Sequence, residues 1–374
     1  MVEQIGPKRF FNTLDGLRGV AAVAILIRHC PYLFGNLRLP DSQLSVDLFF
    51  VLSGFVLAHA YGRRLQTGLS TVEFMKIRLI RLYPLYGLGT LVGIAAVGMS
   101  LIVARSQSLG NHDALTVTAR TFGPDAMMAL FMLPALPMVS PVLYPLNQPA
   151  WSLFFELIGN AAYGVISKLK TFLGLVVGAI ILCSAVGIIY YDFKLGGIGD
   201  GFSWNYAVEG LSRIGFSFPL GIVLYKVPRV NLNIPPFVLC VLLVLILVGL
   251  PKGTGLNIYP LFCIFVLFPL LVTLAAAAEP SENLRSIFSF LGMASYGIYA
   301  THKPVEEFVI GAALRVLHLR LDQFAPFSGL IFLAAILTAI GLIDTYFDRP
   351  VRRWLTQKSN RATPESSAAV EAVG

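Results

Sequence analysis

Residues 171–191 read TFLGLVVGAIILCSAVGIIYY, without a single charge. As a helix rising about 1.5 Å per residue, the stretch reaches about 31 Å, the thickness of the hydrocarbon core of a bilayer. Similar runs recur near 14–33, 44–62, 79–104, 150–167, 208–226, 235–250, 258–278, 288–314 and 326–347. Inside lipid a chain must satisfy its backbone within each segment, so these runs are expected to be helices. The fold class that follows is all-α, a polytopic integral-membrane bundle of about ten transmembrane helices in contact with the lipid bilayer.

Composition agrees. Charged residues make up 13% of the 374, where a soluble domain carries about a quarter. Apolar residues make up 56%, and the mean hydropathy is +0.75. So few charges cannot cover a water-facing surface, which excludes an ordinary soluble enzyme, disorder and a coiled coil. The net charge of +8 would point to nucleic acid in a soluble protein; here it reads as membrane orientation, and no nucleic-acid partner is expected. With the N-terminus inside, the cytoplasmic segments collect Lys8, Arg9, Arg63, Arg64, Lys76, Arg78, Arg81, Lys168, Lys170, Lys226, Arg229, Arg285, Arg349, Arg352, Arg353, Lys358 and Arg361. Both termini are therefore expected in the cytoplasm.

Residues 1–355 are expected to form one transmembrane domain, and 356–374, rich in Ser, Ala and Glu, a disordered cytoplasmic tail. A long, proline-punctuated extracytoplasmic loop is expected over about 105–149. Within it 126–138, broken by Pro134 and Pro137, reads as a re-entrant or interfacial piece. Cys30, Cys183, Cys240 and Cys263 form no CxxC pair and are expected as buried single thiols. Arg18, Arg28 and His29 interrupt the first apolar run, so a cleavable signal peptide is not expected.

The informative residues are the polar ones that lipid should exclude. In LDGLRGVAAVAILIRHC (14–30), Arg18 and His29 are eleven positions apart, about 20° from three whole turns and about 16 Å along the axis. One face thus carries a permanent cation and a base, either as a site or as a snorkelling arginine and a satisfied histidine. Asp47, in SVDLFFVLSGFVL (45–57), is placed either to orient an imidazole or to cap its own helix. His59, near the far end of that segment, reads as interfacial. Arg78 and Arg81 in RLIRLYPLY (78–86) share a face, either as a phosphate clamp or as a positive-inside anchor.

PAWSLFFELIGNAAYG (149–164) lines up Ser152, Glu156, Asn160 and Tyr163 as a polar stripe. Glu156 is a candidate acid or base, or half of a structural ion pair. His302 in SYGIYATHKP (295–304) is placed to face an acceptor. Asp344, Asp348 and Arg352 read as a surface salt-bridge face. No metal is expected, because there is no HExxH and no Cys/His cluster at ligand spacing. No serine-hydrolase elbow, Walker or Rossmann glycine run is present.

Taken in order, these segments resemble the bacterial acyltransferase-3 family, the integral-membrane O-acylases of surface polysaccharides, over roughly residues 10–355. The resemblance implies transfer of an acyl group, often acetyl from acetyl-CoA or another acyl-CoA, to a hydroxyl of an acceptor such as a polysaccharide. It implies His29 as the essential histidine, Arg18 as its paired arginine, Arg78 and Arg81 as its Arg-x-x-Arg, and Glu156 in the tryptophan-plus-acid block; the two arginines of that pair are expected to hold the donor's phosphates. Asp47 joins the catalytic set as a group that orients the imidazole; Trp151, Ser152 and His302 are expected on the substrate. A stand-alone transferase in the bacterial inner membrane, without a fused hydrolase-like domain, is the expectation. His29 would act either as general base or through a transient acyl-histidine. The rival classes are a transporter or flippase using the same buried charges, and a non-catalytic receptor or scaffold.

Overall fold

The computed structural model describes residues 11–106, 112–199, 201–229, 232–249 and 257–361. Among these there are thirteen α-helices and no strand: α1 (Asn12–His29), α2 (Ser45–Thr67), α3 (Thr71–Ser106), α4 (His112–Leu130), α5 (Ala150–Ile166), α6 (Leu173–Leu195), α7 (Ala207–Lys226), α8 (Pro236–Val248), α9 (Ile258–Phe262), α10 (Phe268–Ala277), α11 (Glu282–Arg315), α12 (Phe327–Ile343) and α13 (Arg349–Arg361). Every run expected to be helical is helical. Six helical stretches, at 42–67, 71–103, 173–195, 204–226, 258–277 and 327–359, are long and apolar enough to cross a membrane. The protein is a polytopic membrane helix bundle.

Its polarity is that of a protein dissolved in lipid. Only 6% of the apolar window of α6 is buried, so Leu175, Leu182, Val186, Ile189 and Phe193 face outward. Cys183 lies on this exposed surface, not inside as expected; Cys30 and Cys263 are buried and Cys240 is half-buried. Conversely Asp47, Asp192, Glu209 and Arg213 are fully buried. In water the arrangement would be inverted.

The chain divides into two compact units, Met1–Arg63 with Thr171–Tyr299, and Arg64–Lys170 with Ala300–Gly374. The first has a continuous apolar core built from α1, α2, α7, α8 and α10, including Leu14, Leu17, Leu48, Phe55, Leu243 and Val272. Glycines let its helices approach closely. A Cβ on Gly54 of α2 would stand 2.0 Å from the Phe218 carbonyl oxygen, and one on Gly221 of α7 would stand 2.0 Å from that of Val51. The two backbones are therefore in direct contact. α6 ends on Gly196 at φ 69, whose N–H bonds the Asp192 carbonyl in a left-handed cap.

In the second unit, α3 starts earlier than its apolar run. Ser70 Oγ accepts from the Glu73 N–H at 3.1 Å, and Glu73 Oε2 accepts from the Ser70 N–H at 3.0 Å. This reciprocal box fixes the helix start at Thr71. Arg78 and Arg81 are consequently inside a regular helix instead of at its mouth. Tyr83 and Tyr86 of α3 donate to the Leu130 and Ala129 carbonyls at 2.8 and 2.6 Å, closing the open end of α4.

Two expectations change here. The segment 105–149 is not a plain loop, since α4 occupies 112–130. Only the first residues of 126–138 are helical; the rest turns at Met132 (φ 56) and is tied back by Ala135 N–H to Leu143 O at 2.7 Å. Proline at 134 and 137 leaves no donor to continue the helix. The other change is at the C-terminus, where the α12 helix continues through a π-turn at Asp344–Asp348 into α13. Residues 356–361 are thus helix; the remainder of the expected tail lies outside the described residues.

Candidate functional site

In the first unit, α1 carries both Arg18, in its second turn, and His29, its last residue, each half-buried. The eleven-residue spacing keeps them on one face, about 16 Å apart. Glycines seat this helix against α11. A Cβ on Gly19 would be 2.5 Å from Leu291 Cβ, one on Gly16 would be 2.3 Å from the Phe288 ring, and one on Gly292 would be 2.4 Å from Asp15 Cβ. With so little room to slide, the position of His29 is set by packing along the whole of α1. Arg28, on another face, is exposed and donates to the Pro40 carbonyl at 3.2 Å, as a snorkelling side chain should.

Asp47 is fully buried in the first turn of α2. Both its oxygens accept from one guanidinium: Arg213 Nε at 3.1 Å to Oδ1 and Nη2 at 2.7 Å to Oδ2. Arg213 Nη2 also donates to the Gln43 carbonyl at 3.0 Å. This fork-to-fork geometry is the strong form of an ion pair. Its first effect is to lock α2 to α7 at the level where the glycine contacts begin. Sequence reasoning passed over Arg213, although an arginine inside the apolar run 208–226 was the signal for it. His59 belongs to an aromatic cluster, with Nδ1 and Tyr225 Oη 3.3 Å apart and Phe11 at 5.0 Å between ring centres.

In the second unit, Arg78 and Glu156 meet across α3 and α5, with Nη2 3.0 Å from Oε1 and both side chains largely buried. Arg81, one turn on, faces Asp348 at 3.9 Å. Each arginine of the pair therefore faces a carboxylate, and Arg81 shares Asp348 with Arg352. Among the described residues Arg78 Nε is buried without a hydrogen-bond partner. Asn160 lies one turn from Glu156, fully buried, and neither atom of its carboxamide is hydrogen-bonded to a described residue. Trp151 is buried edge-on to Phe155 at 6.0 Å. Ser152 is also buried, and its hydroxyl donates to Pro149 O at 3.2 Å in the first turn of α5.

His302 is fully buried in α11 and not open to the exterior. The next residue, Lys303, pairs with Glu306 at 2.7 Å and Glu307 at 3.3 Å. Asp344 and Asp348, expected on a surface, are buried in the π-turn and are bound by arginines. The structure thus groups the expected residues as Arg18, His29 and Asp47 in the first unit, and Arg78, Arg81, Trp151, Ser152, Glu156 and His302 in the second.

A bundle that holds an imidazole, carboxylate-braced guanidiniums and other buried polar groups within lipid-facing helices defines a membrane enzyme or carrier. Residues 11–347 match the acyltransferase-3 family model, described as an acyltransferase domain. The chain belongs to this family and is a multi-pass membrane acyltransferase. Over 196 residues it is 42% identical to Protein 2 in picA locus of Rhizobium radiobacter, a match that covers 49% of this chain and 98% of that protein. No solved structure matches the chain.

Proposed function

We propose that this acyltransferase moves an acyl group, acetyl in the first instance, from acyl-CoA to a hydroxyl of a surface polysaccharide or its lipid-linked precursor, at the bacterial inner membrane. Arg78 and Arg81 bind the donor's phosphate oxygens; guanidinium forks suit them bidentately. Glu156 is a positioning residue that holds the Arg78 fork in one orientation. His29 is the general base. It takes the proton from the acceptor hydroxyl while that oxygen attacks the thioester carbonyl; the C–S bond then breaks, and the leaving thiolate recovers the proton from the imidazolium. Asp47 acts through Arg213 as a positioning residue for the helices around α1. Trp151, Ser152 and His302 belong to the acceptor side.

The observation that supports this reading is the one-face placement of Arg18 and His29 on a glycine-seated helix of an acyltransferase-3 chain. The test is transfer of label from radiolabelled acetyl-CoA to extracted polysaccharide by the purified protein in liposomes. Replacing His29 with Ala is expected to slow transfer about 10²–10⁴-fold, the usual contribution of a general base. Full activity in that variant would end the assignment. Flux of solute without transfer of label would favour a carrier instead.

A further inference from the structure

The π-turn between α12 and α13 builds a feature that the proposed mechanism does not use. Arg349, Arg352, Arg353, Thr356 and Gln357 line an open groove of about 390 Å³, within the range of about 300–1,000 Å³ typical of small-molecule sites. Two carboxylates beneath it are buried. Asp344 holds Arg349 at 2.6 Å and Arg352 at 3.5 Å, and Asp348 holds Arg352 at 2.7 Å. The widened turn causes this convergence, because a π-turn brings a residue back over the one five positions earlier, here Arg349 over Asp344.

Arginines that merely anchor a helix at a membrane surface point away into water. Arg349 and Arg352 are instead held by the buried carboxylates while they line the groove. Arg353 makes no ion pair among the described residues, and Arg349 is more than half exposed. Arg81, already assigned to the donor, reaches the same network through Asp348 at 3.9 Å. The three lining guanidiniums stand against two buried carboxylates, which leaves an excess of positive charge at the groove. A phosphomonoester carries about −1.5 to −2 at neutral pH, whereas a phosphodiester carries a single charge.

We infer that the Arg349/Arg352/Arg353 groove binds a phosphomonoester, and that its source is the ribose 3′-phosphate of the acyl-CoA donor. The inference rests on the acyl-CoA reading above and extends the donor site from α3 onto α13.

The test compares acetyl-CoA with acetyl-dephospho-CoA, which lacks only that phosphate, on the full chain in phosphatidylcholine vesicles. The wild-type protein is expected to show a KM about tenfold lower for acetyl-CoA, equivalent to about 1.4 kcal/mol. Arg353→Gln should bring the ratio of the two KM values close to one. Arg349→Lys, which keeps the charge over Asp344 but loses the fork, should narrow it. Because the ratio is taken within one protein sample, partial misfolding cancels. Equal KM values in the wild type, or an undiminished ratio in Arg353→Gln, overturn the groove assignment and leave the acyl-CoA reading intact. A rate that responds to added phosphatidic acid in the wild type and not in Arg353→Gln, with the donor ratio equal in both, makes the ligand a lipid phosphate and also overturns it. No transfer from either donor removes the acyl-CoA reading, and the groove assignment with it.

Discussion

Replacing Asp47 with Asn removes one charge and almost no volume. The side chain it leaves facing Arg213 is neutral, and Arg213 is fully buried. Two bonds between ionised partners, at 3.1 and 2.7 Å, become at most one to a neutral acceptor. At a charge separation near 4 Å and an effective dielectric of about 20, the lost attraction is about 4 kcal/mol. That agrees with the roughly 3–5 kcal/mol measured when one partner of a buried pair is removed. Arg213→Met should cost a similar amount, since it strands the carboxylate instead. The double variant, Asp47→Asn combined with Arg213→Met, should cost less than the sum of the two single substitutions, because neither member of the pair then remains buried without the other. The assay is reversible unfolding of the purified protein in mixed micelles, followed by circular dichroism. Single substitutions that each cost about 0.6 kcal/mol, the mean for neutral hydrogen bonds between membrane helices, and that add without coupling, would show that the two groups do not form a strong buried ion pair. Activity in the double variant separates the two roles of Asp47: restored transfer means that it positions helices, whereas stability without transfer means that the carboxylate also takes part in the reaction.

Gly221→Ala should cost about 1–3 kcal/mol in the same unfolding assay, because its Cβ would stand 2.0 Å from the Val51 carbonyl oxygen and α2 and α7 would have to separate. Asn160→Leu should raise stability by about 1–3 kcal/mol, the penalty now borne by a buried amide without partners; a simultaneous loss of transfer would mark Asn160 as a group kept for binding. Glu156→Gln should raise the donor KM with little change in kcat, since it loosens the Arg78 fork and leaves His29 untouched. An unchanged KM with a reduced kcat would instead make Glu156 an acid or base of the reaction.

Much of the architecture was legible in order along the chain. The run 171–191 requires a lipid environment by its length and lack of charge, and that logic locates the other helices too. Boundaries were less legible. Apolarity marks where a helix is in lipid, not where it starts, so the Ser70–Glu73 box moved the beginning of α3 ahead of its apolar run. The polar stripe of α5 was readable from spacing, as was the shared face of Arg18 and His29. Which partner each charge takes was not. Glu156 had two open readings, and only the placement of α3 against α5 gives it Arg78.

Local sequence is enough to establish a membrane bundle, the helices that carry ionisable groups, and the order of the family motifs. These properties follow from local composition and from the fixed rise and turn of a helix. Helix packing alone binds Asp47 to Arg213, leaves the Asn160 carboxamide without a hydrogen bond among the described residues, and turns Asp344 and Asp348 inward beneath an arginine groove. Arg213 is 166 residues from Asp47, and no periodicity links positions that far apart. A buried charge states that it needs a partner; the packing of the helices states which one.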